Sequence, residues 1–396
     1  MTELLIAGGG IGGLTAALTL HARGIDSTVL ERASHLRPLG VGINLLPHAV
    51  SELYELGLGD ELSQVAVAPT SISYYDTDGK LLFREPRGID GGYGYPQYSV
   101  HRGQLQMLLL SALRDRLGPN AVRTGAALHS FAESGNRVLV HTSAGDFAAD
   151  ALVGADGIHS AVRAQLHPEP DPLLWSGVRM FRGAAPGEFL DGRTMVIVKD
   201  PDGVDLVTYP IGGGLINWVV MKPESDPGPL PGDAKWNQPG DRSQVLRHLE
   251  RWDLGFLDAA DLVRRTDTAL AYPMVDRDVL PWWGRGPVTL LGDAAHPMYP
   301  VGANGGSQAV VDARMLANEL ARDFDGGLRS YEDVRRRETA GVVAANREMH
   351  VTGATQRPAD LARVTGKYRQ DTLTRTRVGV PPARRGGVPP ADKVQA

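Results

Sequence analysis

Residues 3–31 read ELLIAGGGIGGLTAALTLHARGIDSTVLE, and this stretch decides the fold. A short buried strand is predicted at Glu3–Ala7, and Gly8, Gly10 and Gly13 follow with the spacing G-x-G-x-x-G. The first glycine permits a tight turn, the second lets backbone approach a pyrophosphate, and the third lets a helix pack closely on the strand. The pattern predicts a bound dinucleotide whose phosphates lie at the helix N-terminus.

The residues that follow complete the unit. An amphipathic helix is predicted from Gly12 to Arg23, and Gly24 ends it. A second strand, Ser27–Leu30, ends on Glu31, whose carboxylate is placed to accept hydrogen bonds from ribose hydroxyls. The alternative is an ordinary glycine-rich turn between a strand and a helix.

Composition limits the classes of function. The chain has 396 residues, of which 42% are hydrophobic, so we expect a large core and two or three domains. A net charge of −5 gives no general attraction for nucleic acid or anionic lipid. Cysteine is absent, so we expect no disulfide and no thiolate metal site, and we predict no metal site of any kind. A strand at the N-terminus and the lack of a long apolar run favour a cytoplasmic protein without a signal peptide or a membrane segment.

Strand and helix patterns divide the chain into interleaved parts. The predicted bounds are 1–70, 100–172 and 272–345 for the dinucleotide-binding domain, 71–99 and 173–271 for a domain with a mostly antiparallel sheet, and 346–396 for a C-terminal helix with a basic tail rich in proline and glycine. Residues 357–385 contain eight Lys or Arg against two Asp. This composition favours a solvated tail, with a basic docking arm as the alternative.

A second glycine-aspartate motif, GADGIHSAVR, occupies residues 154–163 just after a predicted strand. Strand ends of this kind reach the edge of an open α/β sheet where ligands bind. Asp156 and Gly157 predict a tight turn, and Ser160 is placed to cap the next helix. A simple turn and cap without ligand contact is the alternative.

A third motif, LLGDAAH at residues 290–296, precedes PVGANG at residues 300–305 and a long helix. Asp293 is placed to accept a hydrogen bond from a sugar-like hydroxyl, with a local Asx turn as the alternative. The loop brings a positive helix N-terminus to a ligand that becomes anionic, and a reduced flavin is such a ligand.

In this order the three motifs resemble the single-component (class A) FAD-dependent aromatic hydroxylases of the p-hydroxybenzoate and salicylate hydroxylase type, over about residues 1–350. Longer stretches resemble the phenazine-type monooxygenases of that family: LRPLGVGIN at 36–44, EPRG at 85–88, YPQYSVHR at 95–102, YPMVDRD at 272–278 and MYPVGANGGSQ at 298–308. The resemblance implies a p-hydroxybenzoate hydroxylase-like α/β fold, in which a Rossmann-like FAD-binding domain is interleaved with an antiparallel-sheet substrate domain.

The resemblance also implies a set of FAD contacts. These are Gly8, Gly10, Ile11, Gly12 and Gly13 at the pyrophosphate, Glu31 at the adenosine ribose, Arg32 near the adenine, Arg102 near the phosphate and ribityl chain, Asp156 for FAD and the nicotinamide donor, Asp293 at the ribityl chain, Val41, Gly42, Pro300, Gly302, Ala303, Asn304 and Gly305 around the isoalloxazine, and Leu128 as a further cofactor-binding residue. The family often has asparagine where this chain has Ser307.

The implied reaction uses tightly bound FAD, a transient NADH or NADPH, and O2. A C4a-hydroperoxyflavin would hydroxylate a planar aromatic or heteroaromatic compound such as a phenazine carboxylate, with or without loss of a carboxylate. The protein would exclude water and place the ring. No side chain is a certain catalytic residue; Pro300 and His296 are candidates, and His296 is more often structural in this motif.

The substrate pocket is expected between the inserted sheet and the flavin. Its candidate residues are Tyr209, Trp218 and Val220 on neighbouring strands, Tyr299 on the flavin loop, and Arg179 or Arg182 for a carboxylate, with a plain core or salt-bridge role as the alternative for each. A monomer or a homodimer is expected. Competing functions are oxidation or inactivation of a polycyclic drug-like molecule, and FAD binding without turnover.

Overall fold

The glycine-rich turn leaves the edge of a parallel sheet. The computed structural model describes residues 3–135, 137–232 and 238–376. Within these residues the sheet has, in spatial order, the strands Val288–Leu290, Ala151–Gly154, Glu3–Ala7, Asp26–Glu31 and Val122–Thr124. Ile6 pairs with Val153 on one side and with Val29 on the other, and all three side chains are buried. Burial on both faces is typical of a parallel sheet covered by helices.

Helices cover this sheet and fix the turn. Ile11–His21 packs against Arg102–Leu117 and against Asn304–Arg322. Asn304–Arg322 begins within the PVGANG sequence, so its N-terminus lies inside that loop. Phe324–Thr352 packs on Asn304–Arg322 and extends past residue 345, the predicted end of the dinucleotide-binding domain. The expected Rossmann-like architecture is confirmed.

A larger, mostly antiparallel sheet comes from the two inserted segments. Its strands are, in spatial order, Gln238–Pro239, Leu270–Asp276, Leu174–Pro186, Leu215–Pro223, Asp205–Pro210, Thr194–Val198, Ser71–Tyr75 and Leu81–Pro86, with Gly228–Pro229 paired to Leu174–Pro186. Thr194–Val198 and Ser71–Tyr75 run parallel. The strand Leu270–Asp276 crosses the boundary that the sequence suggests at residue 271.

The two faces of this sheet have different neighbours. One face packs on the helices Ser243–Leu249 and Ala259–Arg264 and forms a core with Trp218 at its centre. Because side chains alternate along a strand, the residues between these core positions point to the opposite face. That second face, with Tyr209 among its residues, is turned toward the PVGANG loop and borders a cavity.

Smaller elements complete the chain. The remaining strands form two antiparallel sheets, Ala66–Val67, Tyr98–His101 and Gly42–Leu45 in one, and Leu128–Ser134, Arg137–Thr142 and Gly145–Ala149 in the other. The remaining α-helices are Pro47–Glu55, Gly59–Val65, Ala161–Leu166 and Pro358–Thr376.

The C-terminal helix and the tail differ in what can be said of them. Pro358–Thr376 packs against Phe324–Thr352. The end of the predicted basic tail, 377–396, lies outside the described residues. In the described part of the chain, no helix combines the length and the low polarity that crossing a bilayer requires.

Candidate active site

The glycine-rich turn leaves space where a pyrophosphate would lie. Gly8 has a φ of +110°, and a Cβ there would lie 2.4 Å from the carbonyl oxygen of Ala155. A Cβ at Gly13 would lie 2.0 Å from the carbonyl oxygen of Gly8, so neither position accepts a side chain. At Gly10, a Cβ would meet no described atom within 4 Å. No side chain caps the helix Ile11–His21 that begins here, so its first N–H groups suit an anionic ligand.

Glu31 lies at the end of the second strand and holds the turn. Its Oε2 accepts a hydrogen bond from the Gly9 N–H at 2.8 Å, and its Oε1 accepts one from the Ala33 N–H at 2.7 Å. A carboxylate has about four acceptor positions, so ribose hydroxyls can still bind. Arg32 is exposed beside it, and Leu128 is half-buried against the core of the parallel sheet.

Gln106 is a supporting residue that the sequence analysis missed. It is buried on the helix Arg102–Leu117, and its Nε2 donates to the carbonyl oxygen of Gly9 at 2.7 Å. No signal in the sequence distinguishes it from a solvent-facing glutamine on a helix. Arg102 begins the same helix and lies beside Gly40, whose added Cβ would be 3.5 Å from the Arg102 Cδ.

The second motif forms the predicted turn and cap. The Asp156 Oδ2 accepts a hydrogen bond from the Ala161 N–H at 2.8 Å, and the Ser160 Oγ accepts one from the Arg163 N–H at 2.9 Å. The Asp156 Oδ1 is buried and has no hydrogen-bond partner among the described residues. Burial raises the pKa of this carboxyl group. An acceptor without a partner at this position fits a hydroxyl-bearing ligand.

Arg163 links the second motif to the third, a role that the sequence analysis did not predict. Its side chain is buried, and its Nε donates to the Asp171 Oδ2 at 2.7 Å. Its Nη1 donates to the carbonyl oxygens of Ala294 at 3.1 Å and Ala295 at 3.0 Å. The two glycine-aspartate turns are therefore held together by one buried guanidinium group.

Asp293 lies in the short 3₁₀ turn Gly292–Ala294 at the start of the third motif. A Cβ at Gly305 would lie 3.9 Å from the Asp293 Oδ1, so the carboxylate faces the start of the late helix. Its side chain is exposed, yet protein crowds the carboxyl group. This loss of hydration raises its pKa, against the opposing effects of His296 and of the Arg102 guanidinium. The fold thus brings Arg102 near Asp293, although these two predicted FAD contacts are far apart in the sequence.

The PVGANG loop has an unusual backbone. Ala303 has a φ of +61°, which a residue other than glycine adopts only at a cost. Gly302 has a φ of +72°, and a Cβ there would lie 2.0 Å from the Tyr368 Oη. The Tyr368 hydroxyl also donates to the carbonyl oxygen of Val301 at 3.3 Å. No side chain caps the helix Asn304–Arg322 that follows.

Two polar residues in the first turn of this helix are occupied by protein contacts. Asn304 is fully buried, and its Nδ2 donates to the Tyr368 hydroxyl. Ser307 is also buried, and its Oγ accepts a hydrogen bond from the Leu46 N–H at 3.0 Å. The exposed residues of the loop are Pro300 and Gly302, and Gly305 is half-buried.

Val41 and Gly42 connect this region to the large sheet. The Gly42 N–H donates to the Asn217 Oδ1 at 2.8 Å, and its carbonyl oxygen accepts from the Arg182 Nη2 at 2.6 Å. A Cβ at Gly42 would lie 2.7 Å from the Asn217 side chain, so glycine is required. Arg182 also donates from Nη1 to the Tyr272 hydroxyl at 2.7 Å. Val41 is buried beside this junction.

A cavity of about 240 Å³ lies between the large sheet, the PVGANG loop and the C-terminal helix. Its sheet face is mainly apolar, with Met180, Met195, Ile197, Val207, Val219, Met221 and Met274. Tyr209 and Arg182, two of the candidates named for the substrate pocket, also line it, and so does Pro300. Arg179 does not, because its guanidinium pairs with Glu224 at 2.7 Å on an exposed part of the sheet.

Trp218 and Val220 differ from the expectation. Both are fully buried in the core under the two short helices, and the Trp218 Nε1 donates to the Thr266 Oγ1 at 2.7 Å. The cavity instead contains their neighbours Val219 and Met221. The strand was expected in the right place, but with the wrong set of alternate side chains facing the loop.

Tyr299 also occupies a different position from the one expected. Its ring is buried in a cluster with Met180, Tyr272 and Met274, next to residues that line the cavity. Asn346 donates to its backbone carbonyl oxygen at 3.0 Å. Tyr299 therefore supports the cavity wall from behind.

His296 lies in a buried ionic network. Its Nε2 is 2.6 Å from the Asp312 Oδ2, and the Asp312 Oδ1 accepts from the Arg335 Nε at 2.7 Å. The Gly292 N–H also donates to the Asp312 Oδ2 at 3.0 Å. Asp312 and Arg335 are fully buried, and neither was predicted from the sequence. His296 does not line the cavity, so the geometry favours a structural role for it over proton transfer.

Comparisons with known proteins agree with this geometry. The profile of the FAD binding domain family matches residues 1–226 and 230–346. A phenazine 1,6-dicarboxylic acid hydroxylase, PhzS, of Lysobacter antibioticus is 47% identical over 93% of this chain and 96% of that protein. The 3-hydroxybenzoate 6-hydroxylase 1 of Aquipseudomonas alcaligenes is 33% identical over 87% of this chain and 88% of that protein.

Solved structures give the same fold. Klebsiella pneumoniae HpxO, crystallised with FAD and uric acid, superposes with a TM-score of 0.76 at 23% identity, over 94% of this chain and 93% of that one. The expected α/β fold and the expected cofactor, FAD, are confirmed. The chain belongs to the FAD binding domain family and is an FAD-dependent monooxygenase of the class A aromatic hydroxylase type.

Proposed function

We propose that this enzyme hydroxylates a planar heteroaromatic acid of phenazine size, with NADH or NADPH as electron donor and O2 as oxidant. The observation that carries the proposal is the position of the cavity, which lies between the sheet face and the PVGANG loop. The similarity to PhzS, whose name specifies a phenazine dicarboxylic acid, supports the class of substrate.

The residues around the glycine-rich turn suit FAD binding. The space over Gly10 and the first turn of Ile11–His21 would take the pyrophosphate, and Glu31 would take the adenosine ribose. Asp293 and Arg102 would lie along the ribityl chain. When bound, FAD supplies the oxygen-activating chemistry, since the cofactor and not a side chain carries the reactive group.

The protein's own contribution is to place the ring and exclude water. Methionine and valine side chains on the sheet face give a flexible apolar surface for a flat ring system. Pro300 and the backbone of the loop would border the flavin side of the cavity. A bound ring that fills this mainly apolar cavity would displace water from a water-sensitive reaction, and the cavity walls would hold the ring carbon near the reactive group.

Anaerobic reduction of the holoenzyme tests the proposal. Flavin bleaching by NADH and by NADPH would be followed with and without phenazine-1-carboxylic acid or phenazine-1,6-dicarboxylic acid. Either acid should accelerate bleaching, and labelled oxygen should enter the product in air. A panel of polycyclic drug-like molecules tests the competing activity. Bound FAD that no compound causes to be reduced would instead support a non-catalytic role.

Two further expectations are proposals of the same kind. They are a cytoplasmic location, and a monomer or a homodimer as the oligomeric state. Sedimentation of the purified holoenzyme measures the second.

A further inference from the structure

Two arginines line the side of the cavity formed by the sheet edge. Arg87 follows the edge strand Leu81–Pro86, and Arg369 lies on the C-terminal helix. Glu85 lies between them, with its Oε2 3.0 Å from the Arg87 Nη2 and its Oε1 3.4 Å from the Arg369 Nη1. We call these three residues the edge cluster. Four strands of the sheet separate it from the strand that carries Arg182.

The edge cluster has more positive than negative charge. Two guanidinium groups share one carboxylate, and the Glu85 side chain is only 6% exposed. The Arg87 Nε is buried and has no hydrogen-bond partner among the described residues. Buried donors in folded proteins are nearly always paired, so an unpaired charged donor beside a cavity indicates a missing acceptor. An anionic oxygen of a ligand would supply it.

Arg182, the other arginine of the cavity wall, is differently placed. Its Nη1 and Nη2 donate to the Tyr272 hydroxyl and to the carbonyl oxygen of Gly42, while its Nε, like that of Arg87, has no hydrogen-bond partner among the described residues. The two bonds fix the strand Gly42–Leu45 against the large sheet. Arg182 therefore holds this junction at the flavin side through both Nη atoms. Four strands away, the edge cluster places two guanidinium groups around one carboxylate.

We propose that Arg87 is a specificity-determining residue that binds the carboxylate of the aromatic acid substrate, with Arg369 as a second donor. This inference rests on the proposed function. A guanidinium group suits the task because its planar fork can donate two parallel hydrogen bonds to a carboxylate. Glu85 keeps the two cations in place and lowers their mutual repulsion before the substrate binds.

A binding titration of the oxidised holoenzyme tests the edge cluster. Affinities for phenazine-1-carboxylic acid and for its neutral isostere, phenazine-1-carboxamide, would be measured from the change in the flavin spectrum. Arg87→Gln should weaken binding of the acid about tenfold or more and change binding of the amide less than about twofold. Arg369→Gln should act in the same direction. Flavin content and circular dichroism confirm that each variant is folded.

Arg84→Gln is the matched control. Arg84 lies on the same edge strand, is exposed, and donates to the Ser73 Oγ at 2.9 Å outside the cavity lining. It should leave both affinities unchanged. Unchanged acid binding in Arg87→Gln, or an equal loss for acid and amide, would overturn the inference. If wild-type enzyme neither binds nor oxidises either compound, the proposed function itself fails, and the edge cluster loses its ligand with it.

Discussion

Replacing Asp312 with asparagine tests the buried network behind the flavin loop. The substitution keeps the shape of the side chain but removes the charge that faces His296 and Arg335. Although burial opposes ionisation, His296 and Arg335 hold the pKa of Asp312 at about 2. The difference from an unfolded pKa near 3.9 corresponds to roughly 2–3 kcal/mol in the free energy of unfolding.

Removal of one partner from a buried ion pair typically lowers the free energy of unfolding by about 3–5 kcal/mol, because the other charge stays buried. In Asp312→Asn, Arg335 keeps Glu338 as an anionic partner, so we expect a loss of about 3 kcal/mol in the free energy of unfolding. With an m value of roughly 3 kcal/mol per molar urea, the midpoint of urea unfolding should fall by about 1 M. Circular dichroism of the flavin-free protein measures it.

Arg336→Gln is the control for this experiment. Arg336 is next in the chain, but its guanidinium is partly exposed and lies 3.9 Å from Glu332. Because the pair is long and the guanidinium is partly hydrated, we expect it to contribute no more than about 1 kcal/mol, so the midpoint should hardly move. A midpoint for Asp312→Asn as high as that of the control would refute the reasoning.

The network also predicts a dependence on pH. Since the folded pKa of Asp312 is lower than its unfolded value, its contribution is fully present above about pH 4. It should disappear as the pH falls toward 2. Asp312→Asn should lack this part of the acid destabilisation, and unfolding curves between pH 2 and 5 compare the two proteins.

Three other substitutions address the cofactor site. Gly10→Ala should fold normally, because its Cβ meets no described protein atom, but it should lose affinity for FAD, because the Cβ enters the space proposed for the pyrophosphate. Gly13→Ala should also destabilise the fold, because its Cβ would lie 2.0 Å from the carbonyl oxygen of Gly8. Flavin absorbance and thermal unfolding compare the two variants. Asp293→Ala should lower FAD retention after dialysis with little change in circular dichroism, and equal flavin content in mutant and wild type would count against the role of Asp293.

Local patterns predicted the cofactor half of the molecule well. The spacing of Gly8, Gly10 and Gly13 constrains a turn, a helix start and a strand within a few residues of each other. The strand at Glu3–Ala7 and the fold class follow from the same short stretch. These features depend on residues that are close together in the sequence, so a local sequence pattern is enough to predict them.

Features that depend on distant partners were missed or misplaced. Trp218 and Val220 share one face of their strand, as the alternation predicts. The helices Ser243–Leu249 and Ala259–Arg264 pack on that face, so the opposite set of side chains meets the cavity. Asp312 and Arg335 are charged residues within long helices and look like solvent-facing positions. Their burial becomes visible only when the helices are packed together.

The contact between Tyr368 and Gly302 has a consequence for how this enzyme could diversify. One wall of the cavity proposed for the substrate comes from the last described helix, while the glycine-rich turn proposed for the FAD pyrophosphate lies near the opposite end of the polypeptide. Exchange of the terminal segment between paralogues could therefore alter which compounds are accepted without rebuilding the nucleotide cradle. Such an exchange would have to retain Tyr368, because its hydroxyl contacts the PVGANG loop.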